Sequence, residues 1–135
     1  MNIDVFDLPN VSALEVAETI ATHMLKQAAR STDGTLCVYK NPDGLMCAAG
    51  VLFDSERCTD LRLSCEGMSW GELVEFGLVP KKHAKLIRAL QRLHDSVVPQ
   101  HWPAALYSLF VSFDLDTALV YELCQYNDNR NIFVR

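Results

Sequence analysis

Five cysteines and four histidines are the side chains of this sequence with the most chemistry to offer, and their spacing decides how much of it is open to them. Structural zinc sites draw on closely spaced ligand pairs, whereas the gaps here run from Cys37 to Cys47, from Cys58 to Cys65, and from His83 through His94 to His101. No Cys-x-x-Cys pair occurs, so no metal and no cofactor are expected. The odd cysteine number reads as reduced thiols, mostly buried, rather than a disulfide framework. A cysteine nucleophile needs a thiolate stabilised by a histidine or a helix start. Cys58 and Cys65 look the most exposed, yet neither has such a partner within the sequence, while Cys37 and Cys47 read as small core hydrophobes. The adjacent pair His94-Asp95 has the residue types of a hydrolytic metal site, which also needs a separate histidine and a distant aspartate. His83 and Asp114 are the nearest candidates, at separations short for that purpose. Helical spacing gives a simpler account, with His94 at the edge of an apolar stripe near Ile87 and Asp95 on the polar side near Arg92.

The best-defined exposed feature is a stripe of Lys81, Lys85, Arg88 and Arg92, opposite Leu86, Leu90, Leu93 and Val97 on one helix. These four cations are the expected partner-binding residues, set against the plainer reading of a solvated helix face. The net charge of -5 opposes nonspecific nucleic-acid binding except through this helix, and no aromatic side chains interleave with it. Glycine-rich phosphate loops and Ser-His-Asp signatures are absent, which favours a binding protein over an enzyme.

The elements that must position these groups follow from local signals. The chain has 135 residues, half of them hydrophobic and 21% charged, which suits one self-sufficient domain over 1–135. Ser12-Ala13-Leu14-Glu15 and Ser69-Trp70-Gly71-Glu72 match the capping box, so helices are expected near Ala13 and after Ser69. A third helix is expected after Pro80, a fourth beyond Pro99 and Pro103, and a last one capped by Asp116. Thr35 to Lys40 and Leu45 to Phe53 read as strands joined by Asn41-Pro42-Asp43-Gly44, a type I turn closed by a bulge. In that hairpin Tyr39 pairs with Cys47 and Cys37 with Ala49. Asp54 to Gly67 reads as a polar surface loop, and 127–131 as a polar turn before the apolar end Ile132-Phe133-Val134. The fold class expected is α+β, a mainly helical domain of about five helices with one β-hairpin. Met1 to Asp7 carries acid where a signal peptide carries base, and no apolar run has the length of a membrane span, so a cytoplasmic location without membrane contact is expected.

The run from Cys37 to Leu52, with Cys-x-Tyr leading through Asp43-Gly44 to Cys47-Ala48-Ala49-Gly50-Val51-Leu52, resembles a motif of small uncharacterised bacterial and phage-encoded proteins. Glu66-Gly67 and Leu90-Gln91-Arg92-Leu93-His94-Asp95 continue the likeness, which spans roughly Leu25 to Phe113. Ala49 departs from the branched residue usual there. The resemblance implies an origin on a mobile element and no particular activity. The function expected is therefore a nonenzymatic protein-binding factor of phage or prophage origin, inhibiting a host protein such as a defence complex. Its partner would be a host or phage protein. The alternative is a small hydrolase or thiol enzyme using His94 and Asp95 or a cysteine.

Overall fold

The computed structural model describes residues 3–33 and 36–130, and side chains throughout that span except at 33–37 and 126–130. Three elements begin where a side-chain oxygen takes up an amide that a helix start leaves free. Asp4 and Asp7 form a capping box at a 3-10 turn, Val5–Asn10. Ser12 and Glu15 do the same for α1, Ala13–Gln27, with both reciprocal bonds at 3.1 Å. The third box belongs to Ser69 and Glu72 and opens α3, Trp70–Glu75. Before it lies α2, Thr59–Cys65. Then come α4, Ala84–Ser96, α5, Trp102–Ser112, and α6, Ala118–Arg130.

Helix α1 buries Val16, Ala17, Ile20, Ala21, Met24 and Leu25, and packs against α4, α5 and α6. Its alanines let the partner helices approach closely. Leu86, Ile87, Leu90 and Leu93 turn inward from α4, and Trp102, Leu106 and Phe110 from α5. The start of the chain is fastened by charge: the Arg57 guanidinium meets both carboxylate oxygens of Asp4, which also accepts the Ser55 hydroxyl at 2.7 Å. Asp4 is thereby held down at about 2, with Arg57 as the leading cause. Among the described residues no helix is long and apolar enough to cross a membrane.

The α+β fold with one β-hairpin is corrected here to a mainly helical fold. The turn at Asn41-Pro42-Asp43-Gly44 closes, with Gly44 N–H donating to the Asn41 carbonyl at 2.9 Å and Gly44 at φ +85°. Pairing across it stops after one bridge, Lys40 with Met46, and the Cys47 amide bond to the Tyr39 carbonyl. The rest of the expected second strand winds into a buried 3-10 turn, Ala49–Phe53. The one ladder among the described residues is two residues a side, Thr32–Asp33 with Leu36–Cys37, and forms no sheet layer.

Side chains explain why strands are not needed. Gln27 accepts the Met46 N–H at 2.9 Å and, with His23, donates to the Met46 carbonyl. Glu66 accepts the N–H groups of Tyr39 and Lys40, and Gln91 accepts that of Ala49. Backbone groups that a neighbouring strand would pair are thus satisfied from α1, from α4 and from the turn after α2. Tyr39, Cys47 and Ala49 are buried all the same. The Cys37 side chain lies outside the described residues.

Two further expectations change. Asp54 to Gly67 contains α2, whose Cys65 is fully buried along with Cys58 just before it. The polar stretch after Tyr126 continues α6 to Arg130, and the end from Asn131 lies outside the described residues. Six α-helices, rather than about five, stand among the described residues.

Candidate functional site

A cleft of about 800 Å³ opens between α3, α4 and the segment around Tyr39. Its apolar wall is built from ring contacts. The α3 capping box directs Trp70 inward, where it lies 5.8 Å from Phe53, and Phe53 meets Tyr39 edge to face at 5.3 Å. The Tyr39 hydroxyl donates to the Met68 carbonyl at 2.6 Å, tying the loop before α3 to this wall. Trp70 is buried, and its indole N–H has no acceptor among the described residues.

The opposite wall is α4. Because Leu86, Leu90 and Leu93 take the core side, Arg88, Gln91, Arg92 and Asp95 are left facing the cleft. The stripe expected from sequence therefore divides: Arg88 and Arg92 border the cleft, whereas Lys85 and Lys81, the latter preceding α4, do not. Gln91, Trp70 and Glu66 were missed at the sequence level. No single-helix pattern marks them, because they enter from three separate segments.

The two acids of the cleft are already engaged. Glu66 accepts two backbone N–H groups and lies 3.6 Å from the Arg62 guanidinium. Asp95 meets the Gln91 amide and His94 Nδ1, each at 2.9 Å. Neither Arg88 nor Arg92 meets a carboxylate within 4.0 Å among the described residues. Among the described residues Arg88 and Arg92 thus have no ion pair of their own, beside two acids whose oxygens already accept internal hydrogen bonds.

The enzymatic candidates fare differently. His94 is 0% exposed, stacks on Trp102 at 5.2 Å, and leaves Nε2 without a partner, but it is not on the cleft wall. His83 stands at the other end of α4 and bonds the Val11 carbonyl at 2.8 Å, so it does not join His94. No three His, Cys, Asp or Glu side chains gather as a cation site among the described residues. Cys58 and Cys65, expected to be exposed, are buried, and burial pushes both thiols up. Cys47 borders the cleft, yet burial raises its thiol to about 12, so it is protonated at neutral pH.

His23 supplies a measurable consequence of the way this segment is held. Burial lowers its pKa below 6.5, overriding the raising effect of its bond to the Met46 carbonyl. The folded protein therefore prefers the neutral ring, while the unfolded chain takes up the proton. The stability this adds is fully present above the ordinary histidine value and is lost as pH falls towards the depressed one. In urea unfolding, the midpoint should drop between about pH 7 and about pH 5, and the drop should be smaller for His23→Gln. Equal drops would remove His23 from the account.

Fold and site together define a small, mainly helical protein with a cleft that has one apolar and one charged wall. No family model matches the chain, and searches of curated proteins and of solved structures find no match either. No match bears on the resemblance carried by Cys37 to Leu52, Glu66-Gly67 and Leu90 to Asp95, and the hairpin expected within it is not formed. No match bears on the reading as a phage-borne, anti-defence inhibitor, and nothing in the structure supports it.

Proposed function

We propose that this is a nonenzymatic binding protein whose partner surface is the α3–α4 cleft with the cationic side of α4. The observation that carries the reading is the pair Arg88 and Arg92, which border an 800 Å³ cleft without a carboxylate of their own. A cleft of this size with an apolar wall and a few charged groups is the ordinary form of a recognition site. Lys81 and Lys85 extend the positive potential along the approach. A cytosolic location belongs to the same reading, supported by the unbridged thiols of Cys47, Cys58 and Cys65.

One observation favours a hydrolytic alternative: His94 Nδ1 lies 2.9 Å from Asp95, as a general base and its orienting acid would. It is the weaker reading, because the imidazole is closed to solvent and, among the described residues, no cysteine lies within hydrogen-bond reach of its Nε2.

The test is capture of a partner by tagged protein. Replacing Lys81, Lys85, Arg88 and Arg92 with alanine together should lower recovery of the principal captured protein by about tenfold or more, with an unchanged circular dichroism spectrum. Unchanged recovery would remove the assignment.

A further inference from the structure

We infer that the cleft recognises a carboxylate, carried on an extended acidic segment of the partner and held between the guanidiniums of Arg88 and Arg92. This rests on the binding reading above and adds the chemical group recognised. The two arginines are one helical turn apart, with Cα positions separated by about 6 Å along the axis, so their planar donor forks address one region. Guanidinium forks suit carboxylates because two parallel N–H groups meet two oxygens.

Gly71 contributes independently. It is the second residue of α3, and the Arg88 side chain packs over it. A Cβ built there would stand at ordinary van der Waals distance, 3.4 Å, from the Arg88 Cζ, so the guanidinium reaches across the cleft to α3.

The acids of the site narrow the ligand class. Glu66 and Asp95 are consumed by internal bonds and leave the arginines to a visitor, yet their charge still opposes a dianionic phosphate more than a monoanionic carboxylate. The chain's net charge of -5 works against a polyanion such as a nucleic acid. Val38, Tyr39, Met68 and Trp70 offer apolar contact for residues flanking the acid.

A random linear peptide library without cysteine, selected on the full-length protein, tests this directly. Aspartate or glutamate should be enriched. Affinity of a selected peptide should fall about 30-fold or more both in Arg88→Ala/Arg92→Ala and when its acid is changed to the amide. Selected peptides with no acidic enrichment, or with affinity untouched by the double substitution, overturn the carboxylate inference while leaving a binding protein. Recovery of no peptide at all overturns the inference, with the partner-capture experiment above deciding the broader reading separately. Titration of tryptophan fluorescence with inorganic phosphate and with a short single-stranded oligonucleotide closes the comparison. Saturation by either more tightly than by the acidic peptide would move the ligand class to phosphate and overturn the proposal.

Discussion

Adding one methyl group at Gly50 should destabilise the protein by about 3–5 kcal/mol, a large share of the roughly 5–15 kcal/mol that holds a domain folded. A Cβ at this position would stand 2.1 Å from the Tyr39 carbonyl oxygen, 3.0 Å from its carbon and 3.2 Å from Met46 Cβ. Two of these atoms are backbone and cannot swing aside. Both backbones are also held in place, Tyr39 by Glu66 and the amide next to Gly50 by Gln91. Gly44→Ala is the control: its surroundings are open, so only the left-handed φ of +85° is strained, at about 1 kcal/mol. Urea denaturation of Gly50→Ala and Gly44→Ala should therefore differ severalfold in their loss of stability. Equal losses would mean that the close approach to Tyr39 is not what requires glycine.

Truncating Trp102 to alanine should cost about 3–5 kcal/mol. Trp102 is fully buried at the start of α5, lies against the His94 ring, and donates its indole N–H to the Val97 carbonyl at 2.8 Å. The same carbonyl takes Arg30 at 2.9 Å, and a second Arg30 bond reaches the His94 carbonyl. The end of α4, where Arg92 and Asp95 face the cleft, is thus fixed from α5 and from the residues after α1. Trp102→Phe keeps one aromatic ring but loses the donor and part of the buried volume, for which about 1–3 kcal/mol is expected. Thermal or urea unfolding of the pair should rank Trp102→Phe between the parent and Trp102→Ala. A Trp102→Ala variant within about 1 kcal/mol of the parent would show that this corner is not part of the cooperative core.

What could be read from the sequence was what neighbours in the chain decide among themselves. Ser12 with Glu15 and Ser69 with Glu72 settle helix starts within three residues, and both boxes form. The turn at Asn41-Pro42-Asp43-Gly44 is equally local, and it closes. Strand pairing beyond the turn was settled elsewhere, by Gln27, Glu66 and Gln91, whose side chains serve that backbone from a distance. Helix α2 did leave a signal: Cys58, Leu61 and Cys65 recur at helical spacing, a pattern visible once cysteine is counted as apolar. The candidate site divides along the same line. Arg88 and Arg92 are legible as one face of one helix, but a cleft has two walls. Tyr39, Glu66 and Trp70 come from other parts of the chain, and no periodicity connects them to α4.

The segment from Tyr39 to Ala49 owes its shape to borrowed hydrogen bonds, and this bears on the order in which the protein can assemble. A hairpin carries its partner strand with it and can zip from the turn outward. Here the partners are Gln27, Glu66 and Gln91, between 19 and 42 residues away along the chain. The turn at Gly44 can form early, but its flanks gain order only when α1, α4 and the end of α2 have come together. The cleft wall bearing Tyr39 and Cys47 is therefore among the last surfaces to be completed, and its presence reports that the helices behind it have docked.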